Sequence, residues 1–167
     1  MPFIKINKFV LLGIAGLIAG GPILSNVNDQ PLVTNVTHAS TTQINKRINR
    51  SLTQCHDWAA GRIDKNGKKT DHGTANLAYQ WSTYITSIHY EGNQKLTINV
   101  NNNFDDLQDK AKRDALNSAE NCANQVLLEQ KKITADDANK GLKITVRDGH
   151  GVVGHSGKMS NRLYDFN

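Results

Sequence analysis

The sequence predicts an α+β fold: a small antiparallel sheet of about four strands, arranged as two hairpins, with two amphipathic helices packed on one face. Three observations lead to this prediction. Two segments have apolar residues at helical spacing, others alternate apolar and polar residues, and turn-forming residues separate the alternating segments. The predicted order of elements is α-β-β-α-β-β, all within residues 40–167.

The first helix is predicted to begin with Thr42 as its N-cap and to end near Arg62. Its apolar residues recur every three or four positions and form one stripe, which is the pattern of a helix that covers a core. The members of the stripe are Ile44, Ile48, Leu52, Cys55 and Ala59. The cations between them lie off this stripe and are expected to face solvent.

The second helix is predicted from Asn103 to about Lys131. Asp105 and Asp106 in its first turn suit the positive end of the helix dipole. Its apolar stripe is rich in alanine, so we expect another element to pack closely against it. The stripe consists of Phe104, Leu107, Ala111, Ala115, Ala119, Cys122 and Val126.

Four strands are predicted in two hairpins. Ser82–Tyr90 and Lys95–Asn101 are joined by a turn containing Gly92 and Asn93, and Leu142–Asp148 and Val152–Ser156 are joined by a turn at 149–151. The second strand alternates cleanly, as expected when one face is buried and the other is wet. A short helical turn capped by Thr134 precedes the second hairpin. The polar tail 157–167 predicts no further strand.

Residues 1–39 have the layout of a secretory targeting segment. Lys5 and Lys8 precede an uncharged, mostly apolar run at 9–24, and Thr37-His38-Ala39 supplies the small residues that a cleavage site needs. Cleavage after Ala39 would release residues 40–167 as one domain. The alternative is that the 16-residue apolar run stays as a short anchor, although spanning a bilayer takes about 18–20 residues.

The expected export affects whether the two cysteines of the chain, Cys55 and Cys122, form a disulfide. In an oxidising compartment, two cysteines in one domain favour a disulfide, which here would join the two helices. The alternative is a pair of buried free thiols that pack as small apolar groups.

Histidines near aspartates are the candidates for catalysis. Asp71 precedes His72, Asp148 lies two residues before His150, and His155 follows on the last predicted strand. Such groups can act as general bases or metal ligands, but their spacing matches no metal motif. We therefore interpret the neighbouring glycines as turn residues with positive φ, and the sequence predicts no metal and no cofactor.

Basic residues are the candidates for binding. Six on the first helix and the following loop are expected to form one basic surface, and two on the outward face of the third strand to form a second. They are Lys46, Arg47, Arg50, Lys65, Lys68 and Lys69, then Lys143 and Arg147. Residues 40–167 carry 18 Lys and Arg against 14 Asp and Glu, a mild excess that favours anionic partners. The alternative is an ordinary solvated surface.

The sequence contains no nucleophile elbow, phosphate-binding loop or dinucleotide-binding motif. It therefore favours an exported, non-enzymatic domain that acts at or outside the cell envelope. The expected partner is an anionic envelope polymer, a lipid headgroup or a surface protein, with nucleic acid less favoured. Two alternatives stay open: a small secreted His-dependent hydrolase or nuclease, and a membrane-tethered immunity or exclusion factor if the targeting segment is retained on the outer face of the cytoplasmic membrane.

Overall fold

The computed structural model describes residues 39–64, 66–158 and 160–167, so the proposed targeting segment at 1–38 lies outside the described residues. The described residues form one compact unit. No helix in the described part of the chain is long and apolar enough to cross a membrane.

The unit contains three α-helices, two 3₁₀-helices and five strands. The α-helices are α1 (Thr41–Ala59), α2 (Asp109–Glu129) and α3 (Ala135–Lys140), and the 3₁₀-helices cover Leu77–Tyr84 and Asn102–Phe104. The strands are β1 (Ile85–Gly92), β2 (Lys95–Val100), β3 (Lys143–Arg147), β4 (Val152–Ser156) and β5 (Tyr164–Phe166).

The strands form one sheet in the order β1-β2-β3-β4-β5. Both predicted hairpins are present, and the α+β class with a small sheet is confirmed. Two features differ from the prediction. β2 and β3 are parallel, because α2 carries the chain back to the end at which β2 began, as a helical crossover does. The tail also supplies a fifth strand, which pairs antiparallel with β4.

The core lies between one face of the sheet and the helices α1 and α2. Apolar side chains from alternate strand positions meet the inward faces of both helices in a single cluster. Fully buried members include Ile44, Ile48, Ile88, Leu96, Ile98, Leu116, Leu127 and Val146. On the other face of the sheet, the strand side chains are exposed or half-buried.

The helix α1 begins two residues earlier than predicted because Ser40, not Thr42, is its N-cap. The hydroxyl of Ser40 accepts from the Gln43 amide at 3.3 Å, and the Gln43 side chain accepts from the Ser40 amide at 3.1 Å. The helix ends at Ala59, before Gly61, which has a φ of +68°.

The N-cap of α2 is Gln108, five residues after the predicted N-cap Asn103. Asn101 caps a 3₁₀ turn over 102–104 instead, which drives Phe104 into the core. The buried face is also rotated from the predicted stripe: Ala111 is exposed, and Leu116 and Leu127 are buried.

Candidate anion-binding surface

The three cations of α1 share one outward face. At 100° per residue, Lys46, Arg47 and Arg50 fall within an arc of about 100°, opposite the buried residues Ile44 and Ile48. All three side chains belong to exposed residues. Once the buried stripe of the helix is assigned, helical geometry therefore predicts that these three side chains point in a common outward direction.

The orientation of α1 is set by two asparagines that pair with the backbone of the edge strand β1. Asn45 accepts from the Tyr90 amide at 2.7 Å and donates to the Tyr90 carbonyl at 3.0 Å. Asn49 does the same at Ile88, at 3.1 Å and 2.7 Å. These bonds satisfy edge groups that would otherwise be open to pairing with another chain, and they hold α1 against β1. Sequence reasoning missed this role.

A third contact fixes the other end of α1. The Nε2 of His56 lies 2.8 Å from the Ser82 carbonyl oxygen and 3.1 Å from that of Ile85. Because both partners are acceptors, this nitrogen carries the proton and donates. His56 therefore serves to anchor the helix to the start of β1.

The cationic face of α1 borders an open groove of about 460 Å³. It is lined by Ala39, Gln43, Lys46, Arg47, Arg50 and Gln130. Gln130 is the C-cap of α2, so the groove lies where the end of α2 meets the first half of α1. No carboxylate lines it, and the ion pairs formed within the described residues leave Lys46, Arg47 and Arg50 out. Such a cluster of cations creates a positive potential that attracts anions.

The loop after α1 does not join this groove. Lys68 and Lys69 follow the far end of the helix at Ala59, which is about 14 Å from Arg50 along the axis at 1.5 Å per residue. The Asp64 carboxylate accepts from the amides of Asn66 and Lys68 at 2.8 and 2.9 Å. These bonds, led by the one from Lys68, lower the pKa of Asp64, so a negative charge stays among the lysines.

Lys143 and Arg147 lie on the open face of the sheet, as expected for the outward side of β3. Ile144 and Val146 between them point into the core. The helices cover the other face of the sheet, so these two cations and the α1 groove lie on different sides of the unit. Of the predicted basic residues, the structure groups Lys46, Arg47 and Arg50, and Lys65 lies outside the described residues.

Asp148 has a structural role in the turn between β3 and β4. Its Oδ1 accepts from the amides of His150 and Gly151, each at 2.7 Å, and these bonds lower the pKa of Asp148. Neither Gly149 nor Gly151 has a positive φ, so that expectation was wrong. The carboxylate, rather than left-handed glycine backbone, organises the turn.

The three candidate histidines lie on separate segments. His72 follows Asp71 in the exposed loop after α1, His150 is in the turn at 149–151, and His155 is on β4. The described part of the chain has no hydrogen bond or ion pair between any two of them, and no group of three His, Cys, Asp or Glu placed to hold a metal. His155 instead lies 3.9 Å from the carboxylate of Asp165 on β5.

Cys55 and Cys122 are free cysteines, so the predicted disulfide is wrong for this structure. The helical stripes did place the two residues opposite each other, but a disulfide also needs close, correctly directed Cβ atoms, which stripe position alone does not provide. The two thiols interact without a covalent bond. A hydrogen bond from Cys122 lowers the pKa of Cys55, and the same bond together with burial raises the pKa of Cys122.

No family model, curated protein or solved structure matches this chain.

Proposed function

We propose that this chain is an exported protein whose compact unit binds an anionic partner at or outside the cell envelope, without catalysing a reaction. The observation that supports this is the groove beside α1, where Lys46, Arg47 and Arg50 converge without a carboxylate. The proposed partner is an anionic envelope polymer.

The chemistry of the groove suits phosphate or carboxylate groups. The guanidinium groups of Arg47 and Arg50 can each form two parallel hydrogen bonds to such an anion, and the Lys46 ammonium adds a compact charge. The amides of Gln43 and Gln130 offer donors for neighbouring oxygens. The openness of the groove to solvent favours a segment of a polymer over a small molecule, which would need an enclosed pocket.

The hydrolase alternative has less support. It requires a base, a polarising partner and a reacting position within about 3 Å of each other. His72, His150 and His155 lie on three different segments, and Asp148 is engaged with backbone amides. Among the ion pairs of the described residues, the ring of His155 lies 3.9 Å from the carboxylate of Asp165. His72 and His150 take part in none of these described pairs.

A binding measurement tests the proposal. Long-chain inorganic polyphosphate serves as the probe because it carries dense negative charge and no base or sugar. At about 50 mM salt, we expect K46Q/R47Q/R50Q to bind about tenfold more weakly than the unchanged full chain, because it lacks three phosphate contacts. Vesicles with and without anionic lipid show whether a headgroup replaces the polymer.

The control variant K110Q/K140Q/K158Q removes the same amount of charge from exposed positions away from the groove. Lys110 and Lys140 are already paired with Asp114 and Asp136. If the control weakens polyphosphate binding as much as the groove variant does, net charge rather than the groove drives binding, and the proposal fails.

A further inference from the structure

The open face of the sheet carries a regular array of polar side chains. Strand pairing places His89, Thr97, Thr145, His155 and Asp165 in one row across all five strands. A row on each side of it brings together residues of the two inner strands β2 and β3. These rows contain Lys95 beside Lys143, and Asn99 beside Arg147.

The cations on this face lie on the inner strands. Lys95 and Lys143 are direct neighbours on parallel strands, both exposed, and the ion pairs of the described residues involve neither of them. Like charges directly opposite each other destabilise a sheet. Folding alone therefore does not explain the pair, whereas an anion lying between the two ammonium groups would relieve the repulsion.

Arg147 extends the cationic stripe along β3. Arg147 lies four positions after Lys143, a distance of about 13 Å at 3.3 Å per residue. The neighbouring strand β2 runs about 4.8 Å from β3. Between the cations lie the hydroxyl groups of Thr97 and Thr145 and the amide of Asn99, all half-buried. We call Lys95, Lys143 and Arg147, with the polar groups between them, the sheet stripe.

The carboxylates of this face lie toward the edges of the sheet and are engaged. Glu91 on β1 accepts a hydrogen bond from Thr97, and Asp165 on β5 lies near His155. The tyrosines of the described strands, Tyr90 and Tyr164, point into the core. A ligand here would be held by charge and hydrogen bonds, since base stacking needs exposed aromatic rings.

We propose that the sheet stripe is a second site for the same class of polyanion, so that one copy of the protein bridges two polymer segments. This inference rests on the proposed function of the α1 groove and adds a second, independent face to it. The two sites lie on different sides of the unit, so each is free to hold its own segment. Bridging of this kind cross-links a polymer without any contact between copies of the protein.

A capture experiment tests bridging. Polyphosphate is fixed on beads, the full chain is bound to it, and free fluorescent polyphosphate is then added. The groove variant K46Q/R47Q/R50Q and the stripe variant K95Q/K143Q/R147Q each retain one face, and K110Q/K140Q/K158Q again controls for net charge. Sedimentation of each protein alone gives its oligomeric state.

We expect the unchanged chain and the control to capture fluorescent polymer. The groove and stripe variants should stay on the beads at low salt. Each should capture about tenfold less fluorescent polyphosphate than the unchanged chain, because each keeps only one cationic face. If the stripe variant captures as much as the unchanged chain, bridging is wrong. A chain that sediments as a dimer and loses capture on dilution to monomer would also overturn single-copy bridging.

The outcomes separate the two proposals. An unchanged affinity of the groove variant for the beads would refute the groove, whereas normal capture by the stripe variant would refute bridging alone. Melting curves identify a stripe variant that fails to fold, in which case R147Q takes its place. This single change at an exposed side chain should lower capture and leave bead binding intact.

Discussion

Glu120 is the residue whose environment departs most from that of an ordinary surface carboxylate. It is fully buried on α2, and its Oε1 accepts from the Leu142 amide at 2.7 Å. Its Oε2 has no hydrogen-bond partner, and neither has the buried Oδ1 of Asn124 one turn later. A protonated, neutral carboxyl costs much less to bury than a carboxylate whose second oxygen has no partner.

Burial favours the neutral form of Glu120 and outweighs the charge and hydrogen bonds that favour the ionised form. Burial, the largest effect, raises the pKa of Glu120, while the Leu142 amide, Arg162 and Asn124 lower it. Tyr164, on β5, is also near, and burial together with Glu120 raises the pKa of its hydroxyl. The dominance of burial indicates that the carboxyl holds its proton above the pH at which an exposed glutamate loses it.

This residue gives the protein a predicted pH dependence. With a folded pKa above the unfolded value of about 4.3, the contribution of Glu120 to stability is complete below that pH and is lost as pH rises through the folded pKa. Within that window, the unfolding free energy should fall by about 1.4 kcal/mol per pH unit relative to E120Q. Glutamine keeps an oxygen that accepts from the Leu142 amide, but it does not titrate.

Urea unfolding from about pH 4 to pH 8 measures the effect. E129Q, at an exposed position of the same helix, is the matched control and should follow the unchanged chain. Parallel pH curves for E120Q and the unchanged chain would show that Glu120 is charged throughout and that the proton assignment is wrong.

At the scale of single residues, sequence reasoning could identify the outward cations of α1 but not the buried acid. Lys46, Arg47 and Arg50 follow from helical geometry once the apolar stripe is assigned. Glu120 sits within the alanine-rich face of α2, and no local pattern marks it as buried, since glutamate is rarely fully buried. Only the backbone amide of Leu142, from a distant segment, explains why it is buried.

At the scale of elements, local periodicity located both long helices and four of the five described strands. β4 was predicted with its observed bounds, and α1 to within a few residues. β5 was missed because three residues, Tyr164–Phe166, are too short for an alternation signal. The parallel pairing of β2 and β3 depends on the path of the chain through α2, which local patterns do not encode. Lys95 was not predicted as part of a basic surface, because its position beside Lys143 depends on this same parallel pairing.

The pairing of α1 with the edge of β1 makes a prediction at this scale. N49A removes both hydrogen bonds to Ile88 and leaves a part-buried amide and carbonyl without their partner. A buried polar group without a hydrogen-bond partner lowers stability by about 1–3 kcal/mol. Because the two groups at Ile88 are only part-buried, we expect the unfolding free energy to fall by about 1–3 kcal/mol in total. Urea unfolding measures this.

The matched control is Q54A, at an exposed position on the same helix, which should change stability little. N49A should also associate more readily, since the edge of β1 is then open to strand pairing. Equal stabilities for N49A and Q54A would show that Asn49 does not hold α1 to the sheet.

At the scale of the whole molecule, the predicted basic residues of α1 and those of β3 lie on different sides of the unit. Lys46, Arg47 and Arg50 line the groove, whereas Lys68 and Lys69 follow the far end of α1 and share their loop with Asp64. Nearness in sequence does not give nearness in space when a helix intervenes. The distribution that results, one cationic site on each of two sides, is the basis for bridging.

Processing of the N-terminus is a further prediction at this scale. In a secreting bacterial host, we expect the released protein to begin at Ser40, which would keep the Ser40–Gln43 capping box of α1. Mass spectrometry of the medium and the membrane fraction measures this. A39R places a large cation at the last removed position and should block release. Full-length protein found only in the membrane fraction would support the tethered alternative instead.

The central claim is that the α1 groove binds anions by direct contact, and the salt dependence of polyphosphate affinity tests it most directly. For a single-stranded polyanion, each phosphate contact contributes about −0.7 to the slope of log affinity against log salt. We predict that K46Q/R47Q/R50Q makes this slope about two units shallower than that of the unchanged chain, and that K110Q/K140Q/K158Q leaves it unchanged. A groove variant with the slope of the unchanged chain would contradict the account.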